Sequence, residues 1–156
     1  MKRLYLMRHG HAQTTTEAGV SKDALRPLSD QGREDARLMA AALTRRGGAP
    51  SLILHSPLLR AAQTAAELVA ILKPSSGAES FAALDNTRPA EEVERDLAAR
   101  AASVEEVLAV GHQPQLGEIA ALIVQNIFEM RPGTIIALEL SPAPRVLWAL
   151  SPEQAR

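Results

Sequence analysis

Short apolar runs alternate with longer segments of helical period, and this alternation constrains the fold of the chain more than any other feature. The runs cover residues 4–7, 52–54 and 107–110, and each has the length of a buried strand rather than of a helix. Parallel strands need a long crossover between them, usually a helix, and a helical pattern follows each run. The alternation therefore predicts an α/β sandwich of three layers, with a mostly parallel central sheet flanked by helices.

Two serines have the side chain and position of helix N-caps. Ser29 precedes a predicted helix that ends near residue 47, and Ser56 with Pro57 predicts the start of a second helix that continues to about residue 72. The first of these helices has an apolar face at spacings of three and four residues, which predicts that it packs on the sheet. That face is formed by Ala36, Met39, Ala40 and Leu43.

The second half of the chain predicts two more helices and a hairpin. Pro89 begins a helix to about residue 102, with Val93 and Leu97 inward, and Pro114 begins another. Residues 134–140 and 146–150 alternate as two strands around a proline-containing turn, which predicts a hairpin at the sheet edge. The apolar stripe of the last helix is Leu116, Ile119, Ala120, Ile123 and Ile127.

Two stretches lack a clear period. Residues 12–26 are small and polar, which predicts a long loop that is either a flap facing the substrate or an irregular surface excursion. Residues 81–84 are consistent with a short strand or an extended loop. Loops are also predicted at residues 47–50 and 74–77, where Gly, Pro and Ser cluster.

Length and composition exclude several classes of protein. A chain of 156 residues has the size of one domain, so we expect residues 1–156 to form a single unit. The absence of cysteine excludes disulfides, thiolate zinc sites and a cysteine nucleophile. A net charge of −1 argues against a nucleic-acid partner. No apolar run has the length of a signal peptide or a membrane span, so we expect a cytoplasmic protein.

Cationic and imidazole side chains follow all three apolar runs. Arg8 and His9 follow the first, Arg60 lies in the first turn of the helix after the second, and His112 follows the third. Because the carboxyl ends of parallel strands meet at one edge of the sheet, we expect these side chains to converge there. Guanidiniums bind oxyanions, and neutral imidazole is a nucleophile, so the sequence predicts a phosphate-sized site. Gly10 allows a close approach of the backbone at this point.

The position of Arg60 implies a compensating negative charge. A cation is disfavoured at a helix N-terminus, where the exposed N–H groups attract anions. Glu67 and Glu79 are the acidic residues that we consider as its partner.

Three motifs together resemble the histidine phosphatase superfamily, whose fold is shared with phosphoglycerate mutases. They are Arg8-His9-Gly10, the stretch at residues 56–64 (SPLLRAAQT) and Gly111-His112. Within that superfamily the chain most resembles the small SixA-type phosphohistidine phosphatases. The features of that subgroup are the short length, Arg26-Pro27-Leu28-Ser29 followed by Gly32, and Gly111-His112-Gln113-Pro114 with Leu116.

The resemblance implies a mechanism without metal or other cofactor. His9 would attack phosphorus to form a phosphohistidine intermediate, while Arg8, Arg60 and His112 hold the phosphoryl oxygens. Gly10, His11 and Arg26 would also belong to the substrate site. Attack requires a neutral His9 whose other ring nitrogen donates to a carbonyl, and we expect that carbonyl to be the one of Gly10.

The chain departs from larger members of the superfamily in its proton donor. One branch has an aspartate after the late histidine, where this chain has Gln113, and neither Asp85 nor the pair Glu91 and Glu92 convincingly matches the acid of the other branch. An alkoxide leaving group needs such an acid, whereas an imidazole can leave with a proton already on its ring. The missing acid therefore favours phosphohistidine as substrate. His11 is either a substitute acid or a side chain at the rim of the site.

Three alternatives to a phosphatase of phosphohistidine in a protein, such as a histidine phosphotransfer domain, stay open. The first is a phosphatase of a small phosphomonoester. The second is a metal-dependent hydrolase in which His9 and His11 are metal ligands, although Arg8 and Arg60 would repel the metal. The third is a module that binds phosphate or a phosphoprotein without turning it over.

Overall fold

The computed structural model describes residues 1–156, and in it six strands alternate with helices. No helix is both long enough and apolar enough to span a lipid bilayer. The strands are β1 (Arg3–Arg8), β2 (Leu52–His55), β3 (Ala78–Ser80), β4 (Glu106–Gly111), β5 (Ile135–Glu139) and β6 (Arg145–Leu150). The α-helices are α1 (Thr15–Ala18), α2 (Asp30–Arg45), α3 (Leu59–Leu72), α4 (Ala90–Arg100), α5 (Gln115–Val124) and α6 (Pro152–Ala155).

The strands form one sheet in the order β3-β2-β4-β1-β5-β6. The first four strands of that order are parallel, and β5 and β6 add an antiparallel hairpin at the edge. The predicted α/β sandwich with a mostly parallel sheet is confirmed. Since β1, β2 and β4 are adjacent and parallel, their carboxyl ends lie at the same edge, which is where the candidate site forms.

Successive residues of β1 point to opposite faces of the sheet, as the period of a strand requires. Leu4 and Leu6 belong to a core formed with α4 and α5, while Tyr5 and Met7 belong to a second core formed with α2 and α3. Both cores consist mainly of Leu, Ile, Val, Ala and Met. The two buried faces hold β1 fixed from both sides, and this fixes the position of the residues that follow it.

Helix α2 is the best predicted helix. The Ser29 side chain accepts a hydrogen bond from the Gly32 N–H at 3.1 Å, which is the expected N-cap contact. Its predicted apolar face is buried. The helix ends at Arg45, and Gly47 follows in the left-handed conformation.

The predicted start of α3 is wrong by two residues. Leu58, with extended backbone, is the N-cap, and the helix begins at Leu59. Ser56 accepts a hydrogen bond from the Leu58 N–H at 3.2 Å, so it closes a turn ahead of the helix, and its hydroxyl lies 2.7 Å from a ring nitrogen of His112. The serine and proline that resemble a helix start thus belong to a turn that reaches the site. Arg60 remains in the first turn, as predicted.

Three irregular regions also differ from expectation. Residues 12–26 contain α1, with a capping box between Thr14 and Glu17, and a 3₁₀ turn at Asp23–Leu25. Residues 81–84 contain a 3₁₀ turn at Ala82–Leu84, and the edge strand β3 lies just before it. The stripe of α5 stops short of Ile127, which follows the end of the helix and is 91% exposed.

Candidate active site

A polar cleft of about 480 Å³ opens at the carboxyl ends of β1, β2 and β4. It is lined by the four residues predicted from the strand ends and by His11 and Arg26, whereas Gly10, which follows His9 in the chain, does not line it. A larger apolar cleft of about 560 Å³ lies between α4 and α5 and contains neither histidine nor arginine. The polar cleft is lined by Arg8, His9, His11, Ala12, Thr14, Asp23, Arg26, Leu58, Arg60, Asp85, Asn86, His112, Gln113 and Pro132.

His9 is held as a neutral imidazole with one nitrogen free for chemistry. Its Nδ1 lies 2.7 Å from the Gly10 carbonyl, the contact expected from the sequence. Because a carbonyl only accepts, this contact places the proton on Nδ1 and leaves a lone pair on Nε2. Arg60 Nε donates toward Nε2 at 3.3 Å. The free lone pair therefore lies beside a guanidinium that can hold an oxyanion.

Burial keeps the two buried histidines of the cleft, His9 and His112, uncharged. Desolvation, reinforced by the electrostatic effect of His112, Arg60 and Arg8 and opposed by the Gly10 hydrogen bond, lowers the pKa of His9 to about 3. Desolvation and the charge of Arg60 lower the pKa of His112 to about 4. The two rings are close, with centroids 5.1 Å apart. At neutral pH the site therefore contains neutral imidazoles beside cationic guanidiniums.

The peptide of Gly10 is anchored to α3 and α2. Its N–H donates to Thr64 Oγ1 at 3.1 Å, and the Thr64 hydroxyl donates to the Arg60 carbonyl at 2.8 Å. A Cβ on Gly10 would lie 2.8 Å from the Gly32 carbonyl oxygen, so only glycine permits this approach to α2. The carbonyl that orients His9 is thereby fixed by the helix that carries Arg60.

The anionic partner of Arg60 is Asp23, and the expectation of Glu67 or Glu79 is wrong. Arg60 Nη2 lies 3.1 Å from Asp23 Oδ2, and Nη1 donates to the Asp23 carbonyl at 3.0 Å. Glu67 pairs instead with Arg33 and Arg37, and Glu79 pairs with Arg100. The 3₁₀ turn that holds Asp23 was predicted as loop, and its contact with α3 spans 37 positions, so no local pattern indicated it.

Arg8 and His112 are the other two of the four side chains predicted from the strand ends. Arg8 Nη1 donates to the Met130 carbonyl at 2.9 Å, while its buried Nε has no partner. Desolvation and the charge of Arg60 lower the pKa of Arg8 from its ordinary value. His112 Nε2 lies 2.7 Å from Ser56 Oγ. Asn86, which the sequence analysis missed, donates to the Gln113 carbonyl at 2.9 Å and so ties down the loop after His112.

The remaining candidates have local partners at the rim of the cleft. His11 Nδ1 lies 2.7 Å from Ser29 Oγ, and Arg26 Nη1 lies 3.1 Å from Asp23 Oδ1. Asp85 accepts two hydrogen bonds from Thr87 through Oδ1, at 3.1 Å from the N–H and 2.5 Å from the hydroxyl. Glu91 lines the separate apolar cleft rather than the site, and Glu92 lines neither.

The geometry weighs against His9 and His11 as metal ligands. No cluster of three or more histidine, aspartate or glutamate side chains is arranged to hold a metal ion. The free Nε2 of His9 faces Arg60, whose charge would repel a metal. What the cleft can hold is a tetrahedral anion, with guanidiniums for its oxygens and a neutral ring nitrogen for its central atom.

A family model places this arrangement in a known class. The model of the histidine phosphatase superfamily (branch 1) matches residues 4–81, which include β1, α3 and the first three candidate residues, Arg8, His9 and Arg60. The chain belongs to this superfamily and is a phosphatase by class.

Individual relatives narrow the similarity to the SixA type. The chain is 29% identical to phosphohistidine phosphatase SixA of Escherichia coli (strain K12) in an alignment of length 155 that covers 96% of this chain and 94% of that protein. A solved structure of the protein histidine phosphatase SixA complexed with tungstate is 28% identical, with a TM-score of 0.87 over 99% of both chains. An uncharacterized protein of Picosynechococcus sp. (strain ATCC 27264 / PCC 7002 / PR-6) is 37% identical over 77% of this chain and 72% of its own length.

Proposed function

We propose that this protein removes the phosphoryl group from phosphohistidine in a protein, without a metal ion, by way of a phosphorylated His9. The observation that carries the proposal is the orientation of His9. Its Nδ1 is 2.7 Å from the Gly10 carbonyl, and its unprotonated Nε2 faces Arg60, whose Nε donates toward it at 3.3 Å. A neutral imidazole in this orientation can attack phosphorus at neutral pH without first losing a proton.

The chemistry divides into two transfers. The Nε2 lone pair of His9 attacks phosphorus, and the P–N bond of the substrate breaks with its electron pair on the departing imidazole. Water then attacks the phosphoryl group on His9, and the bond pair returns to Nε2. Arg8, Arg60 and His112 hold the oxygens on which charge develops, which supplies most of the catalysis in phosphoryl transfer. Gly10, His11 and Arg26 line or support the substrate site.

The carboxyl groups of the cleft favour an imidazole leaving group. Arg26 and Arg60 lower the pKa of Asp23, which is therefore ionised, and Asp85 accepts hydrogen bonds from Thr87. Neither is arranged to give a proton to an alkoxide. An imidazole that carries a proton on its second nitrogen needs no such donor.

The similarity to known proteins supports the same substrate class. The SixA sequence and the SixA structure resemble this chain along nearly its whole length, and that structure is a complex with tungstate, a tetrahedral oxyanion. A phosphorylated protein, for instance a histidine phosphotransfer domain, fits an open polar cleft at the sheet edge. We further propose that residues 1–156 act as one histidine phosphatase domain, since the candidate residues extend from Arg8 to His112 across one sheet.

The test is single-turnover hydrolysis of a phosphohistidine-bearing protein by the wild type and by His9→Ala, in EDTA, with an aryl phosphate in parallel. We expect the wild type to release phosphate and His9→Ala to show no turnover. His11→Ala is the matched control, because it removes a histidine of the same cleft that lies at the rim.

Each other outcome identifies a different function. Turnover of the aryl phosphate alone would favour a phosphatase of small monoesters. Activity that EDTA abolishes would favour metal-dependent hydrolysis. Binding of inorganic phosphate without turnover of either substrate would favour a binding module.

A further inference from the structure

The carboxylate of Asp23 is bound to the guanidinium of Arg60 that a phosphate would need. The side chain of Arg60 is 9% exposed, whereas that of Asp23 is 64% exposed, so the carboxylate lies on the solvent side of the guanidinium. Arg60 uses Nε toward His9, Nη1 toward the Asp23 carbonyl and Nη2 toward the Asp23 carboxylate. A phosphoryl oxygen that binds at Nη2 from the solvent side therefore competes with the Asp23 carboxylate for the guanidinium.

Asp23 has a second partner, Arg26, which holds it at the cleft when a phosphoryl group binds Arg60. Arg26 Nη1 lies 3.1 Å from Asp23 Oδ1, and Arg26 Nε donates to the Gln13 carbonyl at 2.8 Å. Both arginines lower the pKa of Asp23, so the group remains an anion. After exchange, a negative charge would lie beside the phosphoryl group.

That charge affects two classes of substrate in opposite ways. Both substrates carry a negatively charged phosphoryl group whose binding a neighbouring carboxylate opposes, and nothing on the leaving group of a phosphomonoester offsets this repulsion. Phosphohistidine contributes an imidazole ring whose second nitrogen carries a proton. A carboxylate can accept a hydrogen bond from this N–H, and this favours the cationic form of the ring, in which the P–N bond is most easily broken.

We propose that Asp23 determines specificity: it exchanges Arg60 for the ring N–H of the substrate and so selects phosphorylated imidazole over phosphate monoesters. This inference rests on the proposed function of the same site. In the first transfer, the P–N bond of the substrate breaks, its electron pair stays on the ring nitrogen, and the proton on the other nitrogen remains with the departing imidazole. Asp23 holds that proton by hydrogen bonding and does not itself take it.

The test is Asp23→Asn, which keeps the shape of the side chain and removes its charge. We expect kcat/KM to fall about tenfold for a phosphohistidine-bearing protein and to rise about tenfold for an aryl phosphate, because the lost charge favours one substrate and opposes the other. Asp85→Asn is the matched control, since it removes the other carboxylate that lines the cleft. This control should leave the ratio of kcat/KM for the two substrates unchanged.

If Asp23→Asn changed kcat/KM for both substrates in the same direction, the inference would be overturned, because a structural defect would produce that result. An equal change in the kcat/KM ratio of Asp85→Asn would also overturn the inference, since the loss of any negative charge in the cleft would then be enough to change specificity.

Affinity for inorganic phosphate, measured by calorimetry on the wild type and Asp23→Asn, provides a readout that does not need turnover. We expect phosphate to bind about tenfold more tightly to the variant, and unchanged affinity would show that Asp23 does not compete for Arg60. If the wild type turns over neither substrate, the proposed function fails, and the selection of phosphorylated imidazole fails with it. The phosphate affinities would still show whether Asp23 competes with phosphate for Arg60.

Discussion

At the scale of single residues, the orientation of His9 depends on a chain of contacts that begins in α3. Thr64 is fully buried and uses one oxygen for two purposes: it donates to the Arg60 carbonyl and accepts from the Gly10 N–H. Gly10 in turn presents its carbonyl to His9 Nδ1. Thr64 does not line the cleft, so we expect it to act as a positioning residue for the proposed nucleophile.

Thr64→Val should separate this positioning role from packing. Valine has nearly the shape of threonine but leaves the Gly10 N–H without an acceptor, which costs about 1–3 kcal/mol. We expect a loss of about tenfold or more in the single-turnover rate, with a smaller change in phosphate affinity. Thr64→Ser restores the oxygen and should recover most of the rate while it loses the methyl packing. Equal rates for the two variants would show that the hydroxyl does not position His9.

The principal candidate residues could be found from the sequence because each follows a recognisable strand. Arg8, His9 and His112 directly follow apolar runs, and Arg60 lies in the turn after the second. Asp23 could not be found in this way, since its contact with Arg60 joins a 3₁₀ turn to a distant helix. Only its spacing of three residues from Arg26 is a local signal, and that spacing alone does not identify a site.

At the scale of elements, prediction succeeded where a helix or strand buries a periodic face. Helix α2 buries such a face and was predicted closely, while α1 buries no residue. Strand β3 has only exposed residues and pairs with β2 at the sheet edge, so it has no apolar run to detect. These short elements are defined by capping and pairing contacts rather than by periodicity.

This difference predicts unequal effects of removing two N-caps. Ser29→Ala should lower the free energy of unfolding by about 1 kcal/mol, because α2 is part of the core. Thr14→Ala removes an equivalent contact from α1, in which a capping box joins Thr14 and Glu17. Since α1 buries nothing, this change should leave global stability unaltered.

Urea unfolding measures the global effect, and amide hydrogen exchange over residues 14–19 measures the local one. We expect faster exchange there in Thr14→Ala alone. A Thr14→Ala variant that loses as much global stability as Ser29→Ala would show that α1 unfolds together with the core.

At the scale of the whole molecule, the sheet places a polar site at the edge of two apolar cores, and the site has a cost in stability. His9 and His112 are 7% and 4% exposed, and both lie near Arg8 and Arg60. The proposed attack on phosphorus requires His9 to stay neutral, and burial lowers the pKa of both rings. The unfolded chain has no such restriction, so its histidines take up protons at a higher pH.

Stability should therefore fall on mild acidification. The pKa of His9 is lowered to about 3 and that of His112 to about 4, while both have a pKa of about 6.5 in the unfolded chain. Between these pKa values the unfolded state binds more protons than the folded state, so the free energy of unfolding decreases as pH falls. From pH 7 to pH 5 each histidine should lower the free energy of unfolding by about 2 kcal/mol, before carboxylates begin to titrate. Urea unfolding in phosphate-free buffers at these two pH values measures the decrease, and His9→Gln and His112→Gln should each remove about half of it. An unchanged pH dependence in both variants would show that these rings are not held neutral in the folded protein.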